Sequence, residues 1–226
     1  IHHACDRPDI EDGSLVRVRI TTFPSRNTAA TGVIEEVLGL ADDEHAAVDV
    51  VIARHKLETV FSEGPWPTRP RRPLDAEGAL AAGYRDLRDR FTFTIDPADA
   101  KDFDDALSLD YLEEEGLWRL GVHIADVSHY VPWGSSVDLD ARRRATSVYL
   151  ADRVIPMLPP ALSDELCSLA PGAERRSMTA DLFLNDGGEL VRFSLYPALI
   201  RSDARLSYGE ADDILIDYKV AIAAGG

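Results

Sequence analysis

The stretch TIDPADAKDFDDA, residues 94–106, places a run of aspartates between two segments that alternate like β-strands. The segment before it, FTFTI, covers residues 91–95, and the segment after it covers residues 105–111. Pro97 restricts the backbone directly after the first strand. Because the loop joins two strand ends, its carboxylates are expected to converge there. The four aspartates expected to converge are Asp96, Asp102, Asp104 and Asp105.

Converging carboxylates repel one another unless a cation lies between them. An all-oxygen donor set without His or Cys suits Mg²⁺, with Mn²⁺ as the alternative, and such sites commonly serve phosphoryl transfer. Two other interpretations stay open: the acidic run is a solvated face, or it binds Ca²⁺. A helix-loop-helix Ca²⁺ loop that starts at Asp102 would need glycine where Leu107 stands.

The overall charge of the chain points away from nucleic acid. Its 226 residues include 24 Lys+Arg and 40 Asp+Glu, a formal net charge of −16. A nucleic-acid-binding protein usually presents a basic surface that neutralises phosphates, and an anionic membrane also disfavours an acidic protein. Half of this charge, however, lies between Asp96 and Glu115, where nine acids accompany one lysine. The position of the charge is therefore more informative than its total.

The cysteines and the apolar segments indicate where the protein works. Cys5 and Cys167 lie far apart and form no C-x-x-C pair, which predicts a reducing, cytoplasmic compartment. No apolar stretch of about 18 residues predicts a membrane span, and no signal peptide is recognisable. The chain starts with Ile1 rather than Met, so we expect it to be part of a longer protein.

Three regions are expected along the chain. Residues 1–60 form a β-rich domain, a partial antiparallel barrel, with strands predicted at residues 14–20, 31–38 and 47–53. Residues 61–75 contain four closely spaced prolines and are predicted to be a linker. Residues 76–226 form a mixed domain, so the fold class is α+β.

Within the mixed domain, turn and capping signals delimit further elements. Asp75 is predicted to cap a helix that runs to about Arg88, and Ser163 to cap the helix DELCSL. The sequence Asn185-Asp186-Gly187-Gly188 is a strong hairpin signal. The other predicted elements are a strand at residues 118–124, a helix at residues 138–145 and a final helix starting near Ser207.

Other catalytic templates are absent from the sequence, including the nucleophile elbow, the P-loop and the H-E-x-x-H zinc motif. His123, Asp126 and Ser128 lie in one short segment, an arrangement that does not favour a catalytic triad. We expect His123 to be a strand histidine satisfied by its neighbours, and Asp126 to be structural.

Five segments together carry a family resemblance. RDLRD, TIDPADAKDFDDA, GVHIADVSHYV, TSVYLADRVIPMLP and LSDELCSL occur in one order at family-like spacing. Over about residues 84–210 the chain resembles the RNB catalytic domain of the ribonuclease II / ribonuclease R family. The first 60 residues more loosely resemble the end of the cold-shock, OB-type domain. The implied fold is a partial RNB mixed α/β catalytic domain preceded by a partial OB-type β-barrel.

The resemblance implies a Mg²⁺-dependent 3′→5′ exoribonuclease that hydrolyses single-stranded RNA to nucleoside 5′-monophosphates. Asp96, Asp102, Asp104 and Asp105 match the family's four metal-site aspartates, and Asp104 matches the one most directly responsible for cleavage. Tyr149 matches an aromatic residue that packs against the 3′-terminal nucleotides. Its residue type alone would predict an aromatic side chain of the hydrophobic core.

The arginines of the helix at residues 138–145 are candidates for the RNA path. Arg142 and Arg143, with Arg144 beside them, either line that path or form a solvated helix face. A family RNB domain continues beyond the length of this chain and is followed by an S1 domain. The alternative to an enzyme is therefore a naturally truncated, catalytically incompetent module that binds RNA or a protein.

Overall fold

A computed structural model describes residues 10–62 and 75–223, with only the backbone for residues 219–223. The proline-rich part of the predicted linker, residues 64–73, lies outside the described residues. None of the helices that the structure describes has the length and apolarity that a membrane crossing requires.

The described chain forms two compact units, of which the first comprises residues 10–62 and 140–157. The segment 140–157 therefore groups with the N-terminal region, whereas the sequence assigned it to the catalytic domain. The predicted domain boundaries stay a prediction. The first unit contains these complete elements: strands β1 (Ser14–Thr22) and β2 (Thr31–Leu40), helix α1 (Glu44–His55), and strands β7 (Val148–Tyr149) and β8 (Val154–Ile155).

Both strand pairs of the first unit are antiparallel. The β1–β2 register shifts three times, and such irregularities increase the twist of a strand pair. The strands predicted at residues 14–20 and 31–38 are confirmed.

The third strand predicted for this region is wrong, because residues 47–53 belong to helix α1. Asp43 caps the helix by accepting a hydrogen bond from the His45 amide at 2.9 Å. The chain leaves the helix at Lys56, whose φ of 53° is left-handed. Ala46 is buried against Gly39 of β2, so packing favours the helix although valine and isoleucine favour a strand.

The second unit, residues 75–139 and 158–223, is built on a seven-stranded mixed sheet in the order β11-β4-β5-β6-β9-β10-β3. The β11–β4 and β10–β3 pairs are parallel, and the other pairs are antiparallel. Its strands are β3 (Arg85–Asp86), β4 (Phe93–Asp96), β5 (Asp105–Leu112), β6 (Leu117–Ala125), β9 (Glu174–Leu184), β10 (Leu190–Arg201) and β11 (Ala204–Ser207).

The helices complete the α+β fold that the sequence predicted. They are α2 (Ala76–Ala81), α3 (Val127–Tyr130), α4 (Ser136–Arg144), a π-helix (Ala161–Leu166) and α5 (Tyr208–Ala223). The hydrophobic core of the second unit includes Ala106 of β5 and Ala198 and Ile200 of β10, which pack with Leu162 of the π-helix. This core supports the strand ends that carry the aspartates.

Two helix predictions in the second unit need correction. The helix capped by Asp75 ends at Ala81 rather than near Arg88, because Gly83 takes a left-handed φ of 95° and the chain turns into β3. Ser163 does not cap a helix; it lies inside the π-helix, which starts after Pro160 without a side-chain cap.

Two further predictions in the second unit, a hairpin and the start of the last helix, are confirmed. The hairpin at residues 185–188 joins β9 to β10. Ser207 caps α5: its hydroxyl accepts a hydrogen bond from the Glu210 amide, while the Glu210 carboxylate accepts one from the Ser207 amide. This reciprocal pair is a capping box.

Candidate active site

Asp96 is the last residue of β4 and pairs in register with Ser207 of the parallel strand β11. Only 8% of its surface is exposed, and its Oδ2 has no hydrogen-bond partner. A buried carboxylate oxygen without a partner loses its hydration and gains nothing in return. Such an atom is suited to receive a cation.

The connection between β4 and β5, residues 97–104, carries Asp102 and Asp104 near its end and leads directly into Asp105. We call this connection the acid loop. Asp102 is half-buried, and Asp104 and Asp105 are exposed. Asp105 opens β5, and the backbone carbonyl of Asp104 accepts a hydrogen bond from the Ala125 amide at 2.9 Å. The strand–loop–strand predicted from the sequence is therefore confirmed.

Asp104 is influenced electrostatically by the other three aspartates. The pKa of Asp104 is raised, first because surrounding protein atoms displace water from its carboxylate. The negative charges of the other three aspartates raise it further. This coupling shows that the structure brings the four predicted residues into one neighbourhood.

The donor set suits a hard divalent cation. Carboxylate oxygens without His or Cys are the ligands that Mg²⁺ and Mn²⁺ favour, and the unpaired Oδ2 of Asp96 has capacity for one. Over residues 10–62 and 75–223, no three acidic, histidine or cysteine side chains are already gathered into a metal-binding group. The carboxylates are thus coupled but not closed around a common point.

Two side chains from distant parts of the sequence contact the acid loop. The buried Ser168 hydroxyl donates to the Lys101 carbonyl at 3.0 Å. Arg205 of β11 donates to the Pro97 and Ala98 carbonyls at 2.9 and 2.6 Å. The sequence analysis did not select either residue, although Ser168 belongs to the segment LSDELCSL.

The residues predicted to bind RNA lie in the segment 140–157 of the first unit. Tyr149 is 69% exposed, so it is not the core aromatic that its residue type suggested. Arg142 is exposed. Arg143 is ion-paired with Asp140, and its guanidinium also donates to the Ser62 hydroxyl. The RNA contacts of Tyr149, Arg142 and Arg143 stay predictions.

His123 and Asp126 have the structural roles expected of them. His123 is fully buried; its Nε2 is 3.0 Å from Ser108 Oγ, and its Nδ1 is 2.9 Å from Thr179 Oγ1. Asp126 caps α3 and accepts hydrogen bonds from the Tyr84 and Ser128 hydroxyls.

The fold and the acid loop define an RNB-type domain. The family model of the RNB domain matches residues 84–223, and that of the cold shock domain matches residues 4–62. Because the first match covers more than half of the sequence, the chain belongs to the RNB domain family. The cold shock match agrees with the OB-type domain predicted for the N-terminal region.

Within this family the chain is similar to proteins named ribonuclease R. It is 37% identical to ribonuclease R of Aquifex aeolicus over 211 residues, which are 93% of this chain and 30% of that protein. Its structure is similar to two solved structures of Mycoplasma genitalium RNase R, one in complex with ribose-methylated single-stranded RNA and one with double-stranded RNA. Each superposes on 94% of this chain with a TM-score of 0.80 and 29% sequence identity. The superposed part is 34% of the first of those chains and 38% of the second. The chain therefore spans about a third of the length of these relatives.

Proposed function

We propose that the chain is part of a Mg²⁺-dependent 3′→5′ exoribonuclease that hydrolyses single-stranded RNA to nucleoside 5′-monophosphates. The observation that carries this proposal is the placement of the aspartates at the junction of β4 and β5, where Asp96 buries a carboxylate oxygen that has no hydrogen-bond partner. Membership of the RNB family and similarity to ribonuclease R support the reaction class. A cytoplasmic location is part of the proposal, since the sequence has only two cysteines, far apart and without a C-x-x-C pattern.

The four aspartates divide the work between them. Asp96, Asp102 and Asp105 would hold Mg²⁺, or Mn²⁺ in its place. When bound, the metal would act as a Lewis acid that activates water and neutralises the negative charge on the leaving oxygen. Asp104 completes the site and accepts a hydrogen bond from the attacking water, which orients that water toward the phosphorus.

The first unit would supply RNA contacts. Tyr149 presents an exposed ring on which a base near the 3′ end can stack. Arg142 and Arg143 would attract backbone phosphates, since arginine is a good partner for phosphate oxygens. The proposed nucleic-acid partner is single-stranded RNA.

The variant Asp104→Asn tests the catalytic assignment. It removes the negative charge of Asp104 and keeps its size, so we expect RNA binding to persist and release of mononucleotides to stop. The measurement uses the complete gene product, with electrophoresis of end-labelled poly(A) for cleavage and fluorescence anisotropy for binding. Normal degradation of poly(A) by the variant would show that the assignment is wrong.

Asp99→Asn is the matched control. Asp99 is exposed and belongs to the same loop, but it lies outside the proposed set of four. This variant should degrade poly(A) at the rate of the parent. If the parent protein itself binds RNA and releases no nucleotides with either metal, the alternative of a catalytically incompetent binding module is correct.

A further inference from the structure

We propose that Ser168 and Arg205 form a clasp that fixes the backbone of the acid loop and so positions its carboxylates for the metal. The link to the metal rests on the proposed function. Both residues act through the loop, so they are positioning residues rather than catalytic residues.

Ser168 holds the part of the loop that carries Asp102. Its hydroxyl donates to the Lys101 carbonyl at 3.0 Å and accepts from the Phe103 amide at 3.3 Å. The next residue, Leu169, donates its amide to the Phe103 carbonyl at 2.8 Å. Backbone groups on both sides of Asp102 are thus tied to one buried segment.

Arg205 holds the two ends of the loop together. One guanidinium nitrogen donates to the Pro97 and Ala98 carbonyls, the first two residues after Asp96. The guanidinium carbon also lies 5.1 Å from the ring centre of Phe103, close to the other end of the loop. A planar cation can donate and stack at the same time, whereas a lysine cannot reproduce both contacts.

The acid loop needs such a clasp because its own charges oppose its closure. Asp102, Asp104 and Asp105 place three like charges within four residues at the end of the loop, and these carboxylates repel one another. Before a cation arrives, this repulsion favours a looser loop. Hydrogen bonds to backbone carbonyls restrain the loop without themselves using a carboxylate oxygen. Small displacements of positioned groups are costly at such sites.

Hydrogen exchange and metal binding test the clasp in the 226-residue chain. The variants are Ser168→Ala, Arg205→Gln and the conservative Arg205→Lys. In the Ser168 variant we follow the Ala100 amide, which bonds to the Pro97 carbonyl. In the Arg205 variants we follow the Leu169 amide, which bonds to the Phe103 carbonyl. Neither reporter amide bonds to the side chain that is replaced.

Two control variants remove similar groups elsewhere in the second unit. Ser177→Ala deletes another fully buried hydroxyl. Arg192→Gln deletes another arginine stacked on a phenylalanine ring, 3.4 Å from the centre of Phe183. These controls report the general effect of losing a buried hydroxyl or a stacked cation.

In Ser168→Ala and Arg205→Gln we expect the reporter amide to exchange at least about tenfold faster. We also expect the affinity for Mn²⁺, measured by calorimetry, to fall about tenfold. Both effects correspond to the loss of one buried or charge-assisted hydrogen bond. The exchange rate and the Mn²⁺ affinity of Arg205→Lys should lie between those of the parent and of Arg205→Gln. If Arg205→Gln does not fold, Arg205→Lys decides the test. The controls should match the parent in both measurements.

Reporter exchange that is unchanged, or that changes equally in the controls, overturns the clasp. Accelerated exchange with unaltered Mn²⁺ affinity overturns its role in positioning the carboxylates. If the parent chain binds no Mn²⁺, the proposed metal site fails instead, and the exchange data alone decide whether the loop is clasped.

Discussion

His123 of β6 provides a pH-dependent probe of the second unit. The imidazole is fully buried between Ser108 and Thr179, with a hydrogen-bond distance of about 3 Å on each side. The pKa of His123 is lowered from 6.5 to about 4, mainly because the side chain is buried and in part because the positive charge of Arg90 lies nearby. The folded protein therefore keeps this histidine neutral at pH values where an unfolded chain would protonate it.

The sign and size of the effect follow from linkage. Above pH 6.5 the side chain is neutral in both states and its titration does not affect stability. As the pH falls, the unfolded state binds a proton first, so the free energy of unfolding decreases, and the loss is complete below pH 4. The full loss is about 3 kcal/mol at about 1.4 kcal/mol per pH unit. At about pH 5 it amounts to about 2 kcal/mol.

Urea unfolding at several pH values checks this expectation. In a Trp66→Phe background the remaining tryptophans, Trp118 and Trp133, both lie in the second unit, so tryptophan fluorescence follows the unit that contains His123. His123→Gln keeps a side chain that can bond to both hydroxyls but cannot titrate. Between about pH 7.5 and pH 5 the parent should lose about 2 kcal/mol more stability than the variant.

Ser202→Ala supplies the control, since it removes a buried hydroxyl of the second unit but no titratable group, so it should leave the pH dependence of the parent unchanged. Parallel pH profiles for the parent and His123→Gln would refute the reasoning. An NMR titration that places the His123 pKa near 6.5 would do so independently.

Two further substitutions probe the sheet and the RNA contact. A Cβ at Gly121 would meet Ser108 Oγ and lie 2.9 Å from His123 Nε2, so Gly121→Ala should destabilise the second unit by about 1–3 kcal/mol. Urea unfolding measures the loss, and Gly209→Ala, where a Cβ has room, should show none. Tyr149→Ala should remove stacking worth about 1–3 kcal/mol and lengthen the final RNA product without stopping cleavage. Electrophoresis of the products checks this, and an end product of unchanged length would remove Tyr149 from the RNA path.

The strand–loop–strand that carries the aspartates was predictable because its signals are local. Residues 91–95 and 105–111 alternate between apolar and polar side chains, and Pro97 restricts the turn between them. The hairpin at residues 185–188 was predictable for the same reason, since consecutive glycines after Asn-Asp define a tight turn. Patterns that lie within a few residues of one another are accessible to sequence analysis.

Helix α1 was not predicted, because its composition conflicts with its structure. Residues 47–53 contain three valines and an isoleucine, which favour a strand. The capping Asp43 and the acidic Glu44 in the first turn were available as opposing signals. The burial of Ala46 against Gly39 depends on packing with β2, which the local sequence does not reveal.

The residues that contact the acid loop were missed because they are remote in sequence. Ser168 lies 65 residues beyond its partner Phe103, and Arg205 lies 108 residues beyond Pro97. Only the parallel pairing of β11 with β4 brings Arg205 to the loop. Ser168 belongs to the segment LSDELCSL, but nothing local in the sequence of either residue indicates a contact with the acid loop.

The acid-rich stretch between Asp96 and Glu115, which the sequence presents as one feature, separates into two parts in space. Asp96 and the acid loop lie at one end of β5, and Glu115 lies beyond the other end, about 23 Å away for eight extended residues. There Glu115 is ion-paired with Arg192 at 2.5 Å. The distal acids are therefore part of an ordinary charged hairpin. Only Asp96, Asp102, Asp104 and Asp105 are therefore expected to attract a cation. Removing a charge from one of these four should weaken metal binding, whereas removing the charge of Glu115 should not.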